Sequence, residues 1–356
     1  MLFDVRPKTS IKDLFGRRAE YLYFRDSIEK GRNFIIITGP RRIGKTSFLY
    51  ATLNELHKEM GVDHLVIDAR AATAINSKYP QRIIAAQLFN ALNGNLPQRA
   101  IAKISSLQIG PIGVSFSNEQ PNIVDLLSAL NRSGKQIIIA FDEAQYLRFS
   151  NEDLTRLFAW VLDILENVTL VITGSQVGVL ESFLRLDDGA SPLFGRYETR
   201  IQLPRFNPSE SVEFLTRGFE EVGIHVDETE LLSTVRTLDG IPGWLVHYGA
   251  ARIDGMTHEE AVEHVLSKAM TYVMSEFQEL ERRSPRYRIL MKNIAELSEG
   301  RGYAKFEAIK ERMKNIDDKS LWRYLSKLID YGFLENMGYG EYKIPDPVIY
   351  RVFRRL

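Results

Sequence analysis

Apolar residues follow two regimes along the chain. Through the first two hundred residues, short unbroken apolar runs alternate with longer stretches in which apolar positions recur every three to four residues. The runs predict strands over Phe34–Thr38, His64–Ala69, Gln136–Phe141, Thr169–Thr173 and Thr199–Leu203. Helices are expected over Ser47–Leu56, Tyr79–Leu92, Ile123–Ser133 and Asn151–Asn167. Continuously apolar strands separated by amphipathic helices mean a parallel sheet covered on both faces, an αβα sandwich. The short, turn-rich stretch Ile109–Phe116 reads as an inserted hairpin without chemistry of its own.

After Pro204-Arg205-Phe206-Asn207-Pro208 the strand pattern stops. From Ser209 to Phe277 the periodicity is helical throughout. A helix N-terminus is expected at Pro208 or Ser209, with Glu210 and Glu213 in the first turns, and Gly240-Ile241-Pro242-Gly243 divides the set. A second boundary falls at Arg282-Arg283-Ser284-Pro285. Beyond it, helices are expected over Tyr287–Glu299, Phe306–Lys314 and Lys319–Tyr331. A strand Phe333–Met337, a turn at Gly338-Tyr339-Gly340 and a strand Glu341–Ile344 follow. Three helices and then a glycine-centred hairpin is the order of a winged helix-turn-helix, which serves DNA or protein contacts. The expected division is an α/β core over residues 1–204, a helical domain over 205–284 and a winged helix over 285–356.

The chain has 356 residues, enough for two or three cores. It has no cysteine, which rules out disulfides and thiolate chemistry in this sequence. No segment approaches the ~20 consecutive apolar residues of a membrane span, and the start lacks a signal-like apolar stretch, so a cytoplasmic protein without a membrane partner is expected. The 46 Lys and Arg balance 46 Asp and Glu overall. Ser284–Leu356 nevertheless carries 15 basic against 10 acidic residues, a mild hint of nucleic acid at the C-terminal end. The six histidines are scattered, and a histidine-built metal site is not expected. His225 and His258 read as surface residues, and His247, after the Gly-Pro break, reads as a packed residue or else as one that faces a nucleotide.

Chemistry enters at Gly39-Pro40-Arg41-Arg42-Ile43-Gly44-Lys45-Thr46, a complete G-x-x-x-x-G-K-[ST] loop between an apolar strand and a helix beginning at Ser47. Glycines let backbone N–H groups turn inward around phosphate oxygens, and the helix N-terminus adds its positive end. Lys45 is expected on the β- and γ-phosphates of a nucleoside triphosphate, and the Thr46 hydroxyl on Mg²⁺. Downstream, the apolar run from Gln136 ends in Asp142-Glu143. Buried strand-end carboxylates are costly without cations or water to act on. Asp142 is therefore the second Mg²⁺ candidate, and Glu143 the base that orients an attacking water. Thr173 and Ser175, closing the next apolar run, would reach the γ-phosphate or that water, or else form an ordinary Gly-Ser turn. Arg196, just before the strand at Thr199, has the permanent planar charge suited to a transferring phosphoryl group. On sequence position alone it reads rather as a solvent-exposed arginine at a helix end.

With these residues assembled, the chain resembles the archaeal ATPase family within the signal-transducing ATPases with numerous domains, a branch of the AAA+ superfamily. Leu14-Phe15-Gly16-Arg17-Arg18-Ala19-Glu20 resembles the box that precedes the phosphate loop in that family and lies against adenine. Gly240-Ile241-Pro242 is similar to its G-x-P lid signature. The resemblance implies ATP or ADP held between Phe15–Arg17 and Pro242, with a sensor strand at Thr173-Gly174-Ser175 and an arginine finger at Arg196. No arginine follows Gly240 before Arg252, so a lid arginine that senses the γ-phosphate is not expected. That pattern suits an ATPase which turns over slowly and switches conformation. A second reading is a nucleotide-gated DNA-binding protein resembling archaeal origin-recognition proteins. It would expose Ser320, Arg323, Tyr324 and Lys327 on the third helix of the winged domain and turn Trp322, Leu325 and Leu328 to the core. A nucleotide kinase fits less well, because no arginine cluster follows Pro204. A protein partner and a homo-oligomer both stay open.

Overall fold

The computed structural model describes residues 1–71, 84–85, 123–314 and 316–356. The expected hairpin at Ile109–Phe116 lies outside these residues. So does the helix expected over Tyr79–Leu92, except for Ile84 and Ala85, which are helical and buried.

Strands β1 (Phe34–Thr38), β2 (Asp63–Asp68), β3 (Ile137–Asp142), β4 (Val168–Gly174) and β5 (Thr199–Gln202) form one sheet in the order β2-β3-β4-β1-β5. Every pairing in it is parallel. Strand residues alternate between its two faces, as the period of two requires. Ile36, Ile139, Phe141 and Ile172 pack against helices α3 (Ile123–Arg132), α4 (Leu154–Ile164) and α5 (Val177–Leu184). Ile35, Ile37, Ile138 and Val171 pack instead against α1 (Arg18–Glu29) and α2 (Lys45–Met60). Burial on both faces explains why the strands are apolar without interruption.

The register sets the site. Thr38 pairs with Gly174 and Phe141 with Ile172, so β1, β4 and β3 end level with one another. Their loops therefore leave from one edge, the carboxyl edge where ligands bind in open α/β sheets.

Beyond β5 come α6 (Pro208–Glu220), α7 (Glu228–Leu238), α8 (Pro242–Ile253) and α9 (His258–Arg283). Asn207 caps α6 in a reciprocal capping box with Glu210, and Pro208 takes the first helical position. The last segment runs α10 (Arg286–Leu297), β6 (Ala304–Lys305), α11 (Phe306–Arg312), α12 (Asp318–Asp330), β7 (Glu335–Gly338), β8 (Glu341–Lys343) and α13 (Pro347–Arg355). Strands β6, β8 and β7 form a small antiparallel sheet, with the turn at Tyr339 and Gly340, both at positive φ. The three helices and the hairpin come in the expected order, and strand β6 between α10 and α11 is an addition that the periodicity had not suggested. The periodicity had not suggested α13. Its two-turn apolar stripe, Val348, Ile349, Val352 and Phe353, is short, and the helix starts because Asp346 accepts the N–H groups of Val348 and Ile349.

The buried stripe of α12 is Leu321, Leu325 and Leu328. Trp322 lies outside that stripe, about 100° round the helix from Leu321, and is 60% exposed, against the expectation that it faces the core. His258 also departs from expectation, since its ring contacts the Tyr248 hydroxyl at 2.9 Å and Ser233 at 3.3 Å. Among the described residues, no helix is long and apolar enough to cross a membrane.

One apolar cluster runs from Leu2 and Phe3 through α6–α9 to Phe353. Phe3 enters from the opposite end of the chain, and its ring fills the space that a Cβ would take at Gly218 and at Gly249, 2.3 Å away in each case. Alanine at 249 would gain ~1 kcal/mol of helix propensity and lose ~1–3 kcal/mol to overpacking. Gly249→Ala is therefore expected to lower the urea unfolding midpoint. A raised midpoint would show that the Phe3 ring is not held there.

Candidate active site

The phosphate loop leaves β1 at Thr38 and enters α2 at Lys45. Gly39 has φ 153° and no room for a side chain, since a Cβ would meet the Leu203 carbonyl oxygen at 2.8 Å. Gly44, at φ 94°, caps the helix without a side-chain acceptor, so the first N–H groups of α2 keep their donors for a ligand. Lys45 is buried, and its Nζ donates to the loop carbonyls of Gly39 (3.1 Å) and Pro40 (2.9 Å). Burial pulls its ammonium below the ordinary range, which the charges of Glu143 and Asp142 oppose. An ammonium held only by carbonyls is suited to receive an anion.

Asp142 closes β3 beside β4. Its Oδ1 accepts from the Thr173 hydroxyl at 2.5 Å and its Oδ2 from the Thr46 hydroxyl at 2.7 Å. Burial pushes the carboxyl up in spite of both bonds. Glu143 sits at φ 54°, in the left-handed region, and this sharp turn is pinned by its N–H donating to Thr173 Oγ1 at 3.0 Å. The turn brings its carboxylate to Ser175 Oγ (2.7 Å) and Gln145 Nε2 (2.5 Å), both of which donate to Oε2. Burial works to raise this carboxyl, but the Lys45 charge and these two hydrogen bonds hold it below the usual range. The two neighbouring acids are thus pushed in opposite directions.

A cavity of about 290 Å³ opens beside the loop, lined by Phe15, Arg17, Lys45, Glu143, Pro242 and His247 among others. Phe15 meets Phe206 and Phe214 edge-on at 5.3 and 5.5 Å. Gly16, at φ 67°, brings the chain against Phe206. Arg17 turns inward, donating to the Pro204 carbonyl at 2.7 Å and the Ile43 carbonyl at 3.4 Å, with Phe206 under its guanidinium. It therefore ties the box to the phosphate loop and to the exit of the sheet. Pro242 starts α8, and the following N–H, of Gly243, donates to the Arg42 carbonyl at 3.0 Å. The Arg42 guanidinium lies over Trp244 (4.4 Å) and Tyr272 (5.0 Å). Helix α8 is thus fastened directly to the phosphate loop.

Of the residues expected at the site, Phe15, Arg17, Arg42–Ser47, Glu143 and Pro242 line this cleft, and Asp142 and Ser175 bond to its Thr46 and Glu143. Arg196 does neither. It precedes β5, whose first residue Thr199 pairs with Ile35 at the start of β1, the opposite edge of the sheet from the loop. There it donates to Asp163 at 2.5 and 3.1 Å, so it has no part in the cleft of its own chain.

Several cleft residues were not read from the sequence. The segment Asp4–Lys8 lines the cleft, with the Lys8 N–H on Ser47 Oγ at 3.1 Å. Its one signal is the apolar pair Leu2-Phe3 ahead of a polar stretch. His247, by contrast, was read as packed or facing a nucleotide, and it borders the cleft with its pKa lowered by burial. Gln145 holds Glu143 but carries no motif of its own.

A family model described as an ATPase domain predominantly from Archaea matches residues 14–248. Among solved structures, a Walker-type ATPase of Pyrococcus abyssi is 33% identical, with 99% of this chain and 100% of that one covered and a TM-score of 0.83. The ORC2 protein of Aeropyrum pernix, in ADPNP–ADP complexes, is 15% identical over 99% of this chain and 96% of its own, with a TM-score of 0.66. Cdc6p of Pyrobaculum aerophilum is 12% identical over 99% and 97%, with a TM-score of 0.50. Those last two likenesses concern the fold alone. A comparison with curated proteins finds no match. With its matched region running from the box at Leu14 through the phosphate loop and acid pair to the lid helix α8, the chain belongs to this predominantly archaeal ATPase family and binds ATP.

Proposed function

We propose that the chain is a cytoplasmic, Mg²⁺-dependent ATPase in which hydrolysis repositions a lid, residues 205–284, and a winged helix, residues 285–356, against the core of residues 1–204. The observation that carries this reading is the pairing of Asp142 with Thr46 and of Glu143 with Ser175 and Gln145 at the mouth of the phosphate loop. Adenine is taken between Phe15–Arg17 and Pro242, and the phosphates by the N–H groups of Gly39–Ser47 and by Lys45.

The residues fit Mg²⁺. Thr46 and Asp142 offer two hard oxygens that already converge, and a buried carboxylate pushed toward neutrality gains most from a cation. When bound, the ion would be held by Thr46 and Asp142 and would take up the charge that develops on the phosphates. Glu143, held in its ionised form, accepts a hydrogen bond from water and aims it at the γ-phosphorus. Ser175 and Gln145 fix that carboxylate, so Ser175 acts on the reaction through Glu143. Slow turnover is supported by Arg252, which bonds Glu230 at 2.8 Å and so leaves the lid without a γ-phosphate arginine at that position.

Lys45→Ala is expected to abolish tight ATP binding, whereas Glu143→Gln keeps binding and lowers turnover by ~10²–10⁴. Calorimetric titration and phosphate release measure the two. Retained nucleotide affinity in Lys45→Ala would overturn the assignment of the site.

Arg196, facing away from its own cleft, serves hydrolysis only in a homo-oligomer, at the cleft of a second copy. Mixing Arg196→Ala with Lys45→Ala protein then restores part of the activity that each lacks. No recovery at any mixing ratio would leave Arg196 as a structural partner of Asp163.

A second reading, a nucleotide-gated DNA-binding protein, is favoured by the side chains that α12 leaves exposed, Lys319, Trp322 and Arg323 beside Asp318. The face is narrower than the sequence suggested, because Tyr324 donates to Ser284 at 3.2 Å and Lys327 to Asp330 at 3.2 Å, while Ser320 accepts from Arg323 at 3.3 Å. If it takes DNA, a gel-shift salt series gives log affinity falling linearly with log salt, less steeply in Arg323→Ala by about one contact. Flat or absent binding would assign this face to a protein partner.

A further inference from the structure

Two successive arginines of the phosphate loop have different surroundings. Arg42 is sandwiched between Trp244 and Tyr272, and its charge is used up in fastening the lid. Arg41 turns toward α9 and the C-terminal segment, where Nη1 forms an ion pair with Glu276 and the guanidinium lies 5.5 Å from the Phe333 ring centroid. Its side chain is only 11% exposed, yet Nε and Nη2 have no hydrogen-bond partner. A buried donor left unmet is costly, and a guanidinium has five donors arranged for planar oxyanions.

The location of this unmet capacity is informative. Arg41 belongs to the phosphate loop itself, between Gly39 and Lys45, and its charge acts on both Glu143 and Lys45. Two buried cations on one loop repel each other until an anion comes between them.

Other described arginines near the cleft are already committed. Arg17 is bonded to main-chain carbonyls, Arg148 to Glu279 and Arg252 to Glu230. Arg70, whose charge also reaches Asp142 and Glu143, is held in a two-point bond by Asp68. Arg196 is at the other edge of the sheet.

We propose that Arg41 is the arginine that contacts the γ-phosphate of ATP, and that Glu276 holds it when the γ-phosphate is missing. The proposal rests on the nucleotide-binding reading above. It assigns to a side chain of the loop itself the role that no lid arginine fills. Binding ATP then draws the guanidinium away from α9 and from Phe333, and ADP leaves it there. Glu276 keeps the weaker contact with Arg42, 3.8 Å away.

The test is discrimination between nucleotides, measured on the full chain with Mg²⁺ by titrating ADP and a non-hydrolysable ATP analogue. Arg41→Ala is expected to weaken the analogue by about 10- to 100-fold, the worth of a charge-assisted hydrogen bond, and to change ADP affinity by less than about threefold. Retained ADP affinity also reports that the loop is folded. Glu276→Gln removes the competing carboxylate and is expected to raise the ratio of analogue to ADP affinity several-fold. If Arg41→Ala does not fold, Arg41→Lys, which keeps the charge without the fork, takes its place and gives a smaller loss confined to the analogue. Equal losses of both nucleotides in the Arg41 variant, or no loss of either, would overturn the proposal. So would a Glu276→Gln ratio that stays at the parent value. Failure of the underlying reading looks different, because Lys45→Ala would then bind ADP and analogue as the parent does.

Discussion

The Asp142 carboxylate is shared by two hydroxyls from different elements, and the site depends on that sharing. Thr46 stands at the start of α2 and Thr173 near the end of β4, while Asp142 itself ends β3. Burying a carboxylate costs several kcal/mol unless its lone pairs are met, so the strand ends settle where both hydroxyls reach it. Parallel register makes this possible by ending β1, β3 and β4 at one level. The same Thr173 hydroxyl then accepts the Glu143 N–H and fixes a backbone turn that an L-residue adopts only when held there. One threonine thus orients both acids, although it has no place in the phosphate-loop motif.

From this centre, contacts lead outward by two routes. The first is the phosphate loop itself, through the Gly243 N–H on the Arg42 carbonyl and the arginine pair on Glu276. At Gly243 a Cβ would lie 2.7 Å from that of Arg42, so the lid reaches the loop this closely only because the residue is glycine. The second starts at Gln145, whose amide bonds Glu143 and whose carbonyl accepts from Arg148 at 2.8 Å. Arg148 in turn binds Glu279 of α9, which accepts the Tyr331 hydroxyl at the end of α12. Nearby, Gly178 of α5 lets Asp330 approach to within 2.6 Å of where a Cβ would stand. Both routes end on α9, a helix of roughly 39 Å at 1.5 Å per residue, whose Phe277 is packed against Phe333 and Phe353. Rigid packing of this kind transmits a small displacement as a movement of whole elements.

Helix α8 and the C-terminal segment also share buried polar ties. Asp346 is fully enclosed, which pushes its carboxyl up, yet it accepts the indole N–H of Trp244 at 3.1 Å and two backbone N–H groups of α13. A network of this type is stabilising only when every member is satisfied, so it favours one arrangement of α8 against α13 over neighbouring ones. Trp244 carries the Arg42 guanidinium on its ring, which makes this indole a link between the phosphate loop and the far end of the chain.

Local pattern was enough for the elements and for the loop. Five apolar runs became five strands because burial on both faces needs no information beyond the run itself, and Gly39–Thr46 needs only its own spacing to form a phosphate cradle. The acid pair Asp142-Glu143 was legible for the same reason, as charge at the end of an apolar strand. Which side chains meet across the fold was not legible. Trp322 reads as a core residue until α12 is set down with Leu321, Leu325 and Leu328 inward. Arg196 is near the site in motif order, but parallel pairing of β5 with β1 carries it to the opposite edge of the sheet. Phe3, Gln145 and Glu276 carry no motif, because their roles come from partners 215 or more residues away for Phe3 and Glu276, and from the left-handed turn at Glu143 for Gln145. Spacing along a chain records local geometry, whereas contacts between distant segments exist only once the sheet register and helix packing are fixed.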